Sequence, residues 1–208
     1  MLNTGLQVQT LTGEALRAAI PELARLRIRV FREFPYLYAG DEAYEQAYLH
    51  TYAQAPGAFV ALARDGEAVV GASSAVPLAQ ETPEVQRPFL HTPEFDVADV
   101  LYLGESVLLP EYRGQGLGHR FFDLREAHAQ TLGLGVTTFC AVQRPESHPL
   151  RPVPYRSLHA FWAARGYVER PDLTTTLSWQ DLTENAESPK PMRFWVRRGR
   201  LSGPHAAG

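Results

Sequence analysis

Between an apolar run ending at Pro110 and a helical pattern beginning at Gly116 lies the segment Arg113-Gly114-Gln115-Gly116-Leu117-Gly118-His119. Glycines at that point strip side chains from the first turn of a helix, where backbone N–H groups lack intrahelical partners and the helix dipole is positive. Such a loop can hold a pyrophosphate; the alternative is a tight strand-to-helix turn selected for packing. Two common phosphate cradles are excluded. Gly114, Gly116 and Gly118 do not make G-x-G-x-x-G, and no Gly-Lys-Ser/Thr is present.

Other residues could do chemistry. Glu105 interrupts the apolar run Leu101-Tyr102-Leu103-Gly104-Glu105-Ser106-Val107. A carboxylate there can accept a proton, or lie on a solvated or ion-paired strand face, because a bulge would change its side. Phe34, Tyr36, Tyr38 and Tyr44 gather after the first helical pattern, as walls for a small ligand or as core. His148, Arg151 and Tyr155 fall where a chain leaves the carboxyl end of a strand, the side on which open α/β sheets bind ligands. The histidines are dispersed without ligand spacing, so no metal is expected. Cys140, the only cysteine, sits in an apolar run that reads as a buried, inert strand position. Arg193, Arg197, Arg198 and Arg200 read as a solvated strand end.

The elements that must position these groups follow from periodicity. A strand is expected at Leu6 to Leu11 and a helix at Glu14 to Phe34, bent or divided at Pro21. Asp41 caps a second helix ended by Pro56-Gly57. Ala58 to Arg64 and Ala68 to Val76 form a hairpin about Asp65-Gly66. Pro77 to Asp99 reads as a loop insertion, and Val100 to Leu109 as one apolar strand. A helix over Gly116 to Leu132 and a strand over Val136 to Val142 follow, then a Pro-rich loop from Gln143 to Pro154. A helix from about Tyr155 to Arg165 stops at Gly166. Strands near Thr174 to Trp179 and Met192 to Arg197 complete the sheet, and Ser202 to Gly208 reads as frayed.

With 208 residues, 45% hydrophobic and 21% charged, the chain suits one soluble domain over 1–199 with a tail at 200–208, insertions near 77–99 and 143–154 decorating it. A formal charge of -3 gives no general attraction to phosphate backbones, so nucleic acid is not the expected partner. Met1 to Leu11 has no basic lead with an apolar stretch, and no window suits a membrane span, so a cytoplasmic protein without membrane contact is expected.

The pattern Arg113-x-x-Gly116-x-Gly118 after an apolar strand resembles the acetyl-CoA loop of the GNAT superfamily of N-acyltransferases. Phe161-Trp162-Ala163-Ala164-Arg165-Gly166-Tyr167 is similar to that family's Phe-Tyr-x-x-x-Gly-Phe, with Trp162 at the tyrosine. The resemblance covers nearly the whole chain. It implies an α/β (α+β) GNAT fold: a mixed, mostly antiparallel sheet of about seven strands, splayed between strands four and five and flanked by about four helices. It implies acetyl-CoA as cosubstrate, held by Arg113, Gly114, Gln115, Gly116, Leu117, Gly118 and His119, with pantetheine along the main chain of Val107, Leu108 and Leu109. Tyr155 and Trp162 would lie near its thiol end.

On the same resemblance Glu105 is the catalytic base, and the carbonyl is polarised by the N–H of Val107 or Leu108. Phe34, Tyr36, Tyr38, His148 and Arg151 would form the acceptor site. An indole is too weak an acid to protonate a thiolate. A helix from Tyr155 would put that hydroxyl about 10 Å from Trp162, which makes water the proton source. The resulting reading is an N-acetyltransferase acting on a primary amine of a small molecule, in a ternary complex, with a homodimer left open. A non-catalytic acyl-CoA sensor and a protein or peptide N-acetyltransferase are the alternatives.

Overall fold

The computed structural model describes residues 5–199. The tail expected at 200–208 lies outside them. Strand β1 (Leu6–Leu11) leads to α1 (Gly13–Phe31), whose buried stripe runs Leu16, Ile20, Leu23 and Arg27. Pro21 does not divide α1, which runs through it and stops earlier than expected, at Phe31. Helix α2 (Glu42–Gln54) starts as Asp41 requires, its carboxylate accepting from the N–H of Tyr44 at 2.9 Å. The hairpin β2 (Phe59–Asp65) and β3 (Ala68–Pro77) closes at Asp65-Gly66.

The 77–99 segment corrects the expectation of a loop. It contains helix α3 (Pro83–Leu90) between two single 3₁₀ turns. Pro83 stands in the first turn, where its missing N–H costs nothing. Val85 and Phe89, four apart, are buried, and the Phe89 ring meets those of Phe95 and Phe194 at 5.2 and 5.0 Å.

The apolar run Val100 to Leu109 is likewise not one strand. It splits into β4 (Val100–Tyr102) and β5 (Ser106–Leu108), with Leu103, Gly104 and Glu105 between. β4 pairs with β3 on one side and, in parallel, with β6 (Val136–Val142) on the other. β5 pairs with β3 alone among the described residues. Past Leu103, whose N–H donates to the Thr138 carbonyl at 2.7 Å, a gap opens between β5 and β6. This is the splay that the family resemblance implied.

Helix α4 (Leu117–Thr131) precedes β6, and a short α5 (His159–Ala164) precedes β7 (Val168–Trp179) and β8 (Ser188–Arg198). The sheet has eight strands because the fourth is broken; its order is β1-β2-β3-β4-β6-β8-β7, antiparallel except at β4 and β6. Its two faces are covered by different helices. A Cβ on Gly71 would meet Phe121 of α4, whereas one on Gly104 would meet Ser74, of opposite parity on β3, with Tyr52 of α2 beside it. Likewise Phe194 faces α3 while its neighbour Trp195 packs on Trp162 of α5 at 5.2 Å. Among the described residues no helix is long and apolar enough to cross a membrane.

Candidate active site

A cleft of about 640 Å³ opens where β5 and β6 part. Its walls come from the end of α1, the break at Gly104 and Glu105, the glycine loop, the first turns of α4, the end of β6, and the chain entering α5.

The glycine loop occupies one end. Gly114 and Gly116 have φ of 75° and 84°, left-handed conformations that other residues adopt only at a cost. A Cβ built on either would point into open space, so conformation and the room left for a ligand, not packing, account for these glycines. Gly118 is helical; a Cβ there would only touch Phe161 at 3.5 Å. Arg113 ion-pairs with Glu33 at 2.8 Å and donates to the Leu108 carbonyl from Nε and Nη2 at 3.2 and 3.1 Å. His119 lies edge-on to Phe161 at the same rim. Gln115 turns back to the Glu111 carbonyl and Leu117 is buried in the core, so neither side chain lines the cleft.

Of the three strand-four main chains, Leu108 alone is left for a ligand. The Leu109 N–H donates to the Val70 carbonyl at 3.0 Å, and register commits Val107 to Ala72 in the same way. Alternation then turns the N–H of Ser106 and Leu108 toward the gap. Val107 and Leu109 are buried.

Glu105 sits at the inner end, its side chain 13% exposed. One oxygen, Oε2, lies 2.7 Å from Nη1 of Arg27, whose Nε is 2.5 Å from Glu45. Burial opposes the Arg27 charge, but the fields of Glu105, Tyr48 and Glu45 outweigh it and hold the guanidinium ionised. The Glu105 carbonyl accepts from Ser74 N–H at 3.0 Å and from Nη1 of Arg125 at 3.2 Å, on the α4 side. Nearby Glu81, partly buried, is pushed up to about 7 by burial and then by the charge of Glu105.

The acceptor-side aromatics separate. Phe34 and Tyr36 line the cleft. Their turn is fixed from distant sequence: Arg144 donates to the carbonyls of Pro35 and Tyr36 and ion-pairs with Asp181, and Trp179 Nε1 donates to Tyr36. Leu37, buried, is held at φ 56° by bonds to Glu33 and Leu182. Tyr38 does not line the cleft; its backbone bridges to Asp181 and its ring lies over Gly40, where a Cβ would meet it. His148 and Arg151 stand behind the wall, His148 tilted against the Phe34 ring at 5.6 Å and the Arg151 guanidinium over the Tyr155 ring at 5.1 Å.

Tyr155 is not helical, contrary to the sequence reading, because α5 begins only at His159. The 10 Å helical spacing from Trp162 therefore does not hold, and both residues line the cleft. Burial raises the Tyr155 hydroxyl, which keeps it an O–H donor. Trp162 packs on Phe139, His159 and Trp195 as apolar wall. Cys140, buried as expected, is pushed up to about 12 by burial.

Several lining residues escaped the sequence reading: Glu33, Ser106, Phe122 and Arg125 among them. Arg125 had a signal. It continues the stripe Leu117, Phe121 at a spacing of four, on the face that packs inward.

A model of the Acetyltransferase (GNAT) family matches residues 21–154. The chain belongs to this family, whose members carry out acetyl-CoA-dependent acyl transfer. A comparison with curated proteins found no match. Among solved structures the fold is similar to ribosomal-protein-alanine N-acetyltransferase from Brucella melitensis, with TM-score 0.60 and 15% identity over 92% of this chain and 99% of that one. It is also similar to yncA from Salmonella typhimurium, solved with its cofactor acetyl-CoA, with TM-score 0.59 and 12% identity over 98% of both chains. An acetyltransferase from Thermus thermophilus aligns with TM-score 0.56 and 17% identity over 95% of this chain and 99% of that one.

Proposed function

We propose that this chain is an N-acetyltransferase that moves an acetyl group from acetyl-CoA to the primary amine of a small molecule by direct attack in a ternary complex. The observation that carries this reading is that the glycine loop, the unspent Leu108 N–H and the Glu105 carboxylate all face one cleft. Bound acetyl-CoA would supply the activated acyl carbon as a thioester.

Arg113 and the N-terminus of α4 would hold the pyrophosphate. The Leu108 N–H would bind the carbonyl oxygen more strongly as it gains charge. Glu105, steadied by Arg27, would take the proton from the attacking ammonium or amine. Tyr155 is a wall hydroxyl able to return a proton to the departing thiolate, a role its place outside the helix reopens. Phe34 and Tyr36 give an enclosed aromatic wall, which favours a small acceptor over a protein surface.

Calorimetry should give acetyl-CoA a micromolar Kd, about -8 kcal/mol, and Gly116→Val should abolish it, since a β-branched residue resists the positive φ and fills the cradle. Unchanged binding by a folded Gly116→Val variant would sink the cradle assignment. Acceptor-dependent release of free CoA in an amine screen would separate catalysis from mere binding.

A further inference from the structure

Arg125 is 2% exposed and lines the cofactor cleft, yet among the described residues no carboxylate pairs with it. Its bonds go to neutral carbonyls: Nε to Phe121 at 3.3 Å, Nη1 to Glu105 at 3.2 Å and Ser74 at 3.5 Å. The Phe122 ring lies 4.5 Å below the guanidinium. Nη2 is buried without a partner. A buried charge without a counter-ion is costly, and burial outweighs the fields of Tyr167, Tyr52, Glu105 and Glu126 to bring this guanidinium down to about 10. By contrast Arg27, buried behind Glu105, and Arg144, half-buried behind the Tyr36 turn, each have a carboxylate.

We propose that Arg125 recognises a carboxylate at the far end of the transferred acyl group, so that beside acetyl-CoA the cleft takes the CoA thioester of a short dicarboxylic acid and prefers it to an uncharged thioester of the same shape. The inference rests on reading the cleft as a CoA thioester site. Arg125 is eight residues from Leu117, about 12 Å along α4, which separates it from the loop that would hold the pyrophosphate. It reaches the break in strand four from the α4 face, whereas the aromatic acceptor wall comes from the end of α1. That leaves the acyl chain as the part of the substrates nearest to it. A carboxylate oxygen can accept from Nη2, the one nitrogen of the fork without a partner, while carbonyls hold Nε and Nη1 and the Phe122 ring lies below. The transfer is otherwise ordinary: the thioester C–S bond breaks, an amide C–N bond forms, CoA leaves as the thiol with the proton lost by the amine, and the distal carboxylate passes over unchanged.

The test compares donors matched in shape and different in charge: malonyl-CoA with isovaleryl-CoA, and succinyl-CoA with 4-methylpentanoyl-CoA. Affinity is read by calorimetry and kcat/KM by CoA release. The charged member should win by about ten- to a hundredfold, the worth of a charge-assisted hydrogen bond. Arg125→Met should collapse that ratio and Arg125→Lys should keep part of it. If Arg125→Met does not fold, the wild-type ratios and Arg125→Lys decide. Equal affinity within each pair, with acetyl-CoA bound, overturns the acyl assignment alone; so does a ratio that Arg125→Met leaves intact. Failure of every CoA thioester to bind overturns the proposed function and this inference with it.

Discussion

Two buried arginines approach Glu105 from opposite faces of the sheet, and their surroundings differ in kind. Arg27, on the inner stripe of α1, lies between the carboxylates of Glu45 and Glu105. Arg125, on the inner stripe of α4, is bonded among the described residues to carbonyls and lies on a ring. On the first side the protein supplies both members of an ion network, which is complete before any ligand arrives. On the second it supplies one member. A complete network fixes geometry, here the carboxylate of Glu105; an incomplete one is a specification for something that comes from outside.

The largest effect should come from breaking the complete side. Arg27→Met would leave two buried carboxylates facing each other, and chemical denaturation should show a loss of about 3–5 kcal/mol, the range for orphaning a buried charge. Arg125→Met removes a charge that has no counter-ion among the described residues and should cost less, about 1–3 kcal/mol, the range for hydrogen bonds from a charged group to carbonyls. Equal losses in the two variants would erase the comparison. Next is Glu105→Gln, which keeps the shape and discards the proton acceptor. Turnover should fall by about two to four decades with acyl-CoA affinity little changed, and near-normal turnover would leave Glu105 a purely structural partner of Arg27.

The smallest effect concerns Glu81, whose charge adds to the acidic side. Burial and Glu105 raise its carboxyl from 4.5 to about 7, so the folded protein holds this proton more tightly than the unfolded chain does. Its contribution to stability therefore declines as pH rises from about 4.5 to about 7. Thermal melts across that window should show a slope that Glu81→Gln flattens; an identical slope in the variant would assign it to other groups.

What could be read without coordinates was local. Asp41 before a helical pattern, Asp65-Gly66 between two β-rich runs, and the glycines before α4 each act through their own neighbours, and each stands where expected. The break in strand four was hidden because Leu101 to Leu109 is apolar on both sides of it; only pairing with β3 and β6 reveals where the chain changes partners. Helix α3 was masked by Pro83 and Pro88, one of which favours its first turn. Tyr155 was drawn into a helix by the apolar pattern that follows it. Arg125 went unread because arginine is ordinarily a surface residue, although its place on the stripe of α4 argued otherwise.

The missing row of hydrogen bonds between β5 and β6 bears on how freely this part of the chain can drift. Ser106 and Leu108 present their peptide groups to the gap, and a peptide N–H is the same whatever side chain it carries. Substitutions there can remodel the packing of the walls while the donors stay in register, provided the residue is not proline. If these donors bind the cosubstrate as proposed, recognition written in the main chain would be insulated from mutation, and the burden of distinguishing one substrate from another would fall on the few side chains around it.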